Sequence, residues 1–211
     1  MAKKSVVREY FESLVIAVIL ALFVRTWVLQ AFKIPTGSME QNLLIGDHLI
    51  VNKMVFAPSL TAVERALLPD RAIRRGDVVV FKFPKEPDRD FIKRVIGLPG
   101  DRLELNHKTV FINGQPLTEP YVQYLTPAST DGTVHADDRT EEYGPVTVPP
   151  DQYFMMGDNR DNSEDSRYWG FMPKSYVKGQ ALFIYYSLDE NESVTHLIKA
   201  TRWERLLKHV K

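Results

Sequence analysis

The sequence predicts a mainly β protein, in which a body of many strands and turns follows one N-terminal apolar helix. Short runs of Val, Ile, Phe and Tyr recur between turn residues, and the 211 residues include 13 prolines and 11 glycines. Such runs, bounded by Gly and Pro, are typical of strands joined by turns. Asn113-Gly114 follows one such run and is a strong hairpin signal. The one long apolar stretch, residues 14–24, lies near the N-terminus.

That apolar stretch predicts a membrane anchor. It has aromatic residues on both sides, with Tyr10 before it and Trp27 after it, as interfacial belts do. A helix from Tyr10 to Trp27 would rise ~26 Å, close to the hydrocarbon thickness of a bilayer. We therefore predict a transmembrane helix over residues 10–32. A cleaved signal peptide and a buried helix of a soluble domain remain alternatives.

The basic residues around this segment predict its orientation. Lys3, Lys4 and Arg8 precede it, whereas Arg25 and Lys33 follow it. Cytoplasmic flanks carry the excess of Lys and Arg. We therefore expect residues 1–9 to form a cytoplasmic tail and residues 33–211 to form an extracytoplasmic body, with the lipid bilayer as a partner.

Composition excludes several functional classes. The chain has 27 Lys and Arg against 27 Asp and Glu, whereas nucleic-acid-binding proteins usually show a basic excess. It has no cysteine, which excludes disulfides, thiolate catalysis and Cys-based zinc sites. We therefore expect no nucleic-acid partner.

Within the body, strands are predicted over residues 48–53, 78–83, 90–97, 151–156 and 182–187. Residues 61–68 suggest one or two helical turns, and residues 115–150 an irregular insertion or small subdomain. At the C-terminus, Trp203, Leu206, Leu207 and Val210 follow helical spacing. They predict a short amphipathic helix over residues 201–211, which either lies on the membrane or docks on the body.

Ser38 comes shortly after the apolar segment and has two interpretations. With Gln41 it fits the spacing of a helix capping box, and the local sequence favours this structural role. The other interpretation is a nucleophile, which needs a base. His48 is the histidine nearest to Ser38 in the sequence, and it is one candidate base.

A lysine is the other candidate. In the strand over residues 90–97, Lys93 and Arg94 point to opposite faces, so a cation meets apolar neighbours whichever face is buried. Arginine does not release its proton in proteins. Lysine does so when desolvation lowers its pKa, so Lys93 is a candidate general base if its face is buried.

The acidic segment at residues 158–167 resembles a calcium loop only superficially. Arg160 occupies the third position of the EF-hand spacing, and Ser163 stands where that motif has glycine. We therefore expect no metal site there, and instead a turn network in which Asp165 pairs with Arg167.

Four blocks, taken together, resemble the bacterial type I signal peptidases. They occur in the family's order behind an N-terminal apolar segment. The blocks are residues 32–39 (FKIPTGSM), residues 44–47 (LIGD), residues 75–81 with 91–101 (RGDVVVF and FIKRVIGLPGD), and residues 157–163 with 165–167 and 169–170 (GDNRDNS, DSR and WG).

The resemblance implies a role for each matching residue. Ser38 matches the nucleophile and Lys93 the general base. Thr36 matches a residue whose hydroxyl forms the oxyanion hole together with the Ser38 N–H. Ser163 matches a serine that orients the lysine, and Asp165 and Arg167 match a supporting ion pair.

The resemblance also implies an all-β body of antiparallel sheets, and cleavage of signal peptides from preproteins after small residues. It implies a monomer in the bacterial inner membrane, without cofactor or metal. Our candidates for the residues that line the substrate pockets are Phe32, Ile34, Met39, Leu43 and Ile92. Two rivals remain: a non-catalytic, membrane-anchored β-domain that binds a partner, and a self-cleaving repressor-type peptidase with a Ser-Lys pair.

Overall fold

The computed structural model describes residues 6–56, 71–125, 139–189 and 197–210. Its first element is helix α1, Val6–Phe23, which continues as a π-helix over Val24–Val28. No residue of α1 is buried against the body. The 23 residues of Val6–Val28 include an 18-residue window with a mean hydropathy of 2.0 and are long and apolar enough to cross a membrane.

The predicted boundary of the anchor helix, residues 10–32, is wrong at its C-terminal end. The helix ends at Val28, and strand β1, Leu29–Lys33, follows directly. Residues 29–32 are extended because β1 pairs with a second strand, from Leu29 opposite Asn52 to Lys33 opposite His48. The apolar helix is therefore joined to the body without an intervening linker.

Within these described ranges, eleven strands form two antiparallel sheets. The remaining strands, in chain order, are β2 (Asp47–Asn52), β3 (Val78–Phe83), β4 (Glu86–Gly97), β5 (Arg102–Asn106), β6 (Thr109–Ile112), β7 (Gln115–Pro116), β8 (Tyr143–Thr147), β9 (Gln152–Met156), β10 (Met172–Pro173) and β11 (Val177–Ser187). The larger sheet has the order β1-β2-β11-β3-β4-β9-β10, and the smaller has the order β7-β6-β5-β8. The mainly β, antiparallel prediction is confirmed.

Six short helical turns in the described part of the chain connect or follow these strands. Two are α-helical: α2 (Ser166–Trp169) and α3 (Leu197–Ala200). Four are 3-10 turns, at Gly37–Met39, Arg160–Asn162, Lys174–Tyr176 and Trp203–Arg205.

The predicted hairpin at Asn113-Gly114 is confirmed. These two residues join β6 to β7 and have φ angles of 52° and 80°. Positive φ at both central positions is what a two-residue hairpin turn of type I′ requires. In the predicted insertion, β7 and β8 belong to the smaller sheet. Residues 126–138 and the helical turns predicted at 61–68 lie outside the described residues.

Strand β4 is central in the larger sheet, between β3 and β9. Its first five residues are exposed, whereas every residue from Lys93 to Gly97 is buried. Because apolar clusters cover both faces of the sheet here, Lys93 and Arg94 are both inside the protein although they point in opposite directions.

The predicted C-terminal amphipathic helix over residues 201–211 is wrong for the part that the structure describes. Residues 203–205 form one 3-10 turn, and the chain then pairs with the free edge of β11. Leu207 N–H donates to the Ile184 carbonyl, and Val210 N–H donates to that of Leu182. The helix does not form because β3 pairs only with the first part of β11 and leaves the rest of that edge uncovered. The backbone groups along the uncovered edge need hydrogen-bond partners, which the C-terminal residues supply.

Candidate active site

Ser38 lies in the 3-10 turn that follows β1, and only 7% of it is exposed. Its carbonyl accepts a hydrogen bond from the Asn159 N–H at 3.1 Å, which ties this turn to the segment after β9. The capping-box interpretation is not supported, because Ser38 is inside the turn. The residue before the turn, Thr36, makes no side-chain capping bond.

Lys93, in β4, contacts Ser38, in the turn after β1. Lys93 Nζ lies 2.6 Å from Ser38 Oγ and donates a hydrogen bond to it. Only 4% of the lysine is exposed, and its ammonium group lies 5.3 Å from the centre of the Phe91 ring. Fifty-five residues separate the two side chains in sequence, so the antiparallel sheet brings them together.

Burial changes the acid–base behaviour of Lys93. Desolvation lowers its pKa from 10.5 to about 8, although the carboxylates of Asp165, Glu164 and Asp158 act in the opposite direction. Arg167 adds a smaller lowering effect. A substantial fraction of the amine is therefore neutral near pH 8, and a neutral amine is able to accept a proton.

The segment after β9 packs directly against Ser38 through Gly157. A Cβ atom added at Gly157 would lie 2.4 Å from the Ser38 carbonyl oxygen and 2.3 Å from Ser163 Oγ. Both separations are far below van der Waals contact, so only glycine allows this approach. The Gly157 N–H donates to Asp165 Oδ2 at 3.1 Å.

Asp165 and Arg167 form a fully buried ion pair. The guanidinium binds the carboxylate with two parallel hydrogen bonds of 2.8 Å, from Nε to Oδ1 and from Nη2 to Oδ2. Arg167 also donates to the Arg160 carbonyl at 2.7 Å. This fork geometry fixes both ends of the segment that carries Ser163.

Ser163 is buried, and its hydroxyl has no hydrogen-bond partner in the described part of the chain. The orienting hydrogen bond to Lys93 that the family resemblance implies is therefore not formed in this geometry.

Three further ion pairs, which were not predicted from the sequence, hold the segment after β9. Asp158 binds Arg94 through two bonds of 2.7 and 2.6 Å. Arg160 binds Glu119 at 3.0 Å, and Asp161 lies 3.4 Å from Lys108. Three of the acidic side chains that suggested calcium, Asp158, Asp161 and Asp165, are thus paired with cations. Long sequence separations, such as the 64 residues between Arg94 and Asp158, hid these pairs.

A pocket of about 440 Å³ opens beside the Ser38–Lys93 contact. Of the predicted lining residues, Phe32, Ile34 and Ile92 do line it, as does Thr36. The expectation for Met39 and Leu43 is wrong. Both are completely buried in the core cluster that also contains Leu49 and Ile184. The sequence analysis missed several lining residues: Val80, Arg89, Asp90, Phe91, Asn162 and Glu164.

His48, the other candidate base, is not among the residues that line the pocket. Its ring lies against Tyr185 and Tyr186, at centroid distances of 5.9 and 5.5 Å.

Comparison with known proteins gives a consistent result. The family model described as "Signal peptidase, peptidase S26" matches residues 7–186. A signal peptidase I of Pseudomonas aeruginosa is 33% identical, over an alignment that covers 88% of this chain and 74% of that protein. A probable signal peptidase I-2 of Synechocystis is 40% identical, over 82% of this chain and 70% of its own length.

Two further proteins are similar to this chain. Signal peptidase I P of Bacillus subtilis subsp. natto is 35% identical and is covered over 91% of its length, together with 87% of this chain. A crystal structure of a signal peptidase I from Enterococcus faecalis is 34% identical, with a TM-score of 0.42 over 52% of this chain and 97% of that one. The chain belongs to the signal peptidase family, peptidase S26, and is a peptidase.

Proposed function

We propose that this protein is a membrane-anchored serine endopeptidase that removes signal peptides from exported preproteins through a Ser38–Lys93 dyad. The observation that carries the proposal is the 2.6 Å separation between Lys93 Nζ and Ser38 Oγ inside the protein. Family membership supports the removal of signal peptides.

The proposed reaction begins with neutral Lys93. Its amine takes the proton of the Ser38 hydroxyl while Oγ attacks the scissile carbonyl carbon. Collapse of the tetrahedral intermediate expels the amine of the mature protein, which receives the proton from Lys93, and an acyl-enzyme on Ser38 remains. Lys93 then activates a water molecule, which hydrolyses the ester and regenerates the serine.

The negative charge on the intermediate needs hydrogen-bond donors. We assign this role to the Ser38 backbone N–H and the Thr36 hydroxyl. Thr36 is exposed and lines the pocket beside Ser38. Each such donor typically lowers the barrier by ~3–4 kcal/mol.

Ser163, Asp165 and Arg167 support the dyad in this proposal. The ion pair fixes the segment that approaches Ser38. We assign the orienting role to the buried Ser163 hydroxyl, which has no hydrogen-bond partner within the described residues. Phe32, Ile34 and Ile92 give the pocket an apolar wall that suits small substrate side chains, as at Ala-x-Ala sites. We expect a monomer that needs no cofactor.

The membrane anchor gives the site its substrate access. The helix reaches Val28, and Ser38 follows ten residues later, at most ~35 Å of extended chain. A preprotein is itself anchored by its signal peptide, so tethering both molecules to one bilayer raises their effective concentration. We propose that the N-terminus is cytoplasmic and the body extracytoplasmic, by the distribution of Lys and Arg.

The direct test is cleavage of a preprotein with an Ala-x-Ala site by the full chain in detergent. Ser38→Ala and Lys93→Met should each lose at least ~10⁴-fold in kcat/KM, because each removes an indispensable half of the dyad. His48→Ala should retain most activity. Full activity of Lys93→Met would overturn the dyad, and a folded wild type that cleaves nothing would favour the non-catalytic binding domain.

Topology has its own test. Protease added to the outer face of intact membranes should digest the body, whereas protease confined to the inner face should not. Protection of the body from outside would reverse the proposed orientation.

A further inference from the structure

Glu164 occupies a distinctive position on the wall of the active-site pocket. It is exposed, while its neighbours Ser163 and Asp165 are both buried. Its backbone is held in place, since its carbonyl accepts a hydrogen bond from Trp169 Nε1 at 3.3 Å. Glu164 lines the same pocket as Ser38 and Lys93. The main chain is thus fixed at an exposed acidic residue that borders the pocket and whose charge acts on Lys93.

The other charged groups on the pocket wall are differently engaged. Asp90 is paired with Lys178 at 2.7 Å, and Arg89 with Glu86 at 3.2 Å. Lys33 also lines the pocket and is engaged in an interaction of its own. Within the described residues, Glu164 forms no ion pair, although its field reaches Lys93 and raises the pKa of that amine. Its charge is therefore available to act on whatever enters the pocket.

We propose that Glu164 is a specificity-determining residue, which favours substrates with a cationic side chain beside the scissile bond and disfavours those with an anionic one. This inference rests on the proposed function and deepens it, because it adds a charge preference to the preference for small residues. The carboxylate does no bond chemistry, and its role is to set the electrostatic potential of the substrate site.

The expected magnitude follows from the partial exposure of the site. A single solvent-accessible charge pair contributes roughly 0.2–1 kcal/mol, or up to about fivefold. Exchanging a cation for an anion counts the interaction twice, so two contributions of about threefold each give a ratio of about tenfold between the two substrates.

The test uses peptides with one Ala-x-Ala site that differ only in the residue at −2 or at +1, which is Lys, Gln or Glu. The measured quantity is the kcat/KM ratio of the Lys peptide to the Glu peptide, at constant pH and ionic strength, for the full chain in detergent. Because each ratio is internal to one enzyme sample, partial misfolding of a variant cancels.

We expect a Lys-over-Glu preference of about tenfold for the wild type at one of the two positions. Glu164→Asp should keep it, Glu164→Gln should reduce it to about threefold or less, and Glu164→Lys should invert it. Asn162→Asp, which adds an anion to the same wall, should increase it. The matched control is Glu104→Gln in β5, a residue that does not line the pocket and should leave the ratio unchanged.

An equal ratio for wild type, Glu164→Gln and Glu164→Lys at both positions would overturn the inference while leaving the peptidase activity intact. Failure of the wild type to cleave even the Gln peptides would overturn the proposed function, and this inference with it.

Discussion

The active-site pocket and the region behind it both bury cations, but they treat those cations differently. Behind the pocket, Arg94, Arg160 and Arg167 are each about 1% exposed, and each binds a carboxylate through two hydrogen bonds. In the pocket, Lys93 is buried almost as deeply, yet its hydrogen bond goes to a neutral hydroxyl.

This difference matches the chemistry of the two side chains. Arginine stays protonated in proteins, so a buried guanidinium needs a carboxylate partner and makes a permanent structural link. Lysine loses its proton when it is desolvated without a close counter-ion. The paired region therefore supplies rigidity, and the unpaired lysine supplies a group that switches its charge near pH 8.

The largest expected effect comes from breaking one of the paired arginines. Asp165→Asn should lower the free energy of unfolding by about 3–5 kcal/mol, because it leaves the Arg167 guanidinium buried without its counter-ion. Denaturant unfolding in detergent measures this. Glu86→Gln is the control: it breaks the exposed Glu86–Arg89 pair and should cost less than about 1 kcal/mol. Equal costs for the two variants would contradict the contrast between buried and exposed pairs.

The second-largest effect is expected at Gly157, where the segment behind the pocket contacts Ser38. Gly157→Ala would place a methyl group 2.4 Å from the Ser38 carbonyl oxygen, and backbone on both sides must move to relieve this. We expect a loss of about 100-fold in kcat/KM, the typical cost of displacing a catalytic group by about 1 Å. Gly100→Ala is a useful control, since nothing lies within 4 Å of a Cβ there although its φ is positive. It should cost stability without this loss of rate.

Removing the unpaired lysine should raise the free energy of unfolding, whereas breaking an ion pair lowers it. The folded pKa of Lys93, about 8, lies below its ordinary value of 10.5. Below pH 8 the lysine is charged in both states, so the folded protein bears the full cost of burying a charge, about 3 kcal/mol. Lys93→Met should therefore stabilise the fold at pH 7 by about 2 kcal/mol, after the lost hydrogen bond to Ser38 is subtracted.

The pH dependence checks this sign. Wild-type stability should rise between pH 8 and 10.5 as the unfolded chain, but not the folded one, binds a proton at this site. The gap between Lys93→Met and wild type should close over the same range. Destabilisation by Lys93→Met at pH 7 would show that the lysine is held by an attraction that outweighs its burial.

Much of the fold was predictable because it depends on local patterns. The runs at β2, β3, β4, β9 and β11 and the Asn113-Gly114 turn carry their signal within a few residues. The errors arose where a distant partner decided the outcome. Residues 29–32 became a strand because β2 was available, and residues 207–210 paired with β11 rather than completing a helix.

The candidate site, like the fold, was predictable where the signal is local and not where it depends on distant contacts. Alternation along β4 showed that Lys93 or Arg94 would be buried, but it could not show that both faces are covered. Apolar character did not distinguish Met39 and Leu43, which fill the core, from Ile34 and Ile92, which reach the pocket. The ion pairs of Arg94 and Arg160 depend on contacts between distant segments, which spacing does not encode.

The smallest expected effect concerns the unpaired lysine as a titrating base. Because its neutral form is the active one, kcat/KM should rise with pH and level off above about 8. One pH unit below that value, at pH 7, the rate should be about tenfold lower than on the plateau, since about one amine in ten is neutral. Single-turnover cleavage of a peptide substrate between pH 6 and 10 measures the profile.

The carboxylates of Asp165, Glu164 and Asp158 all raise the pKa of Lys93. Glu164→Gln removes one of them, so it should lower this pKa and move the acid limb of the profile to lower pH. A profile that is flat from pH 6 to 9 would mean that the base is not this lysine, and that the unpaired cation is no less structural than the arginines behind it.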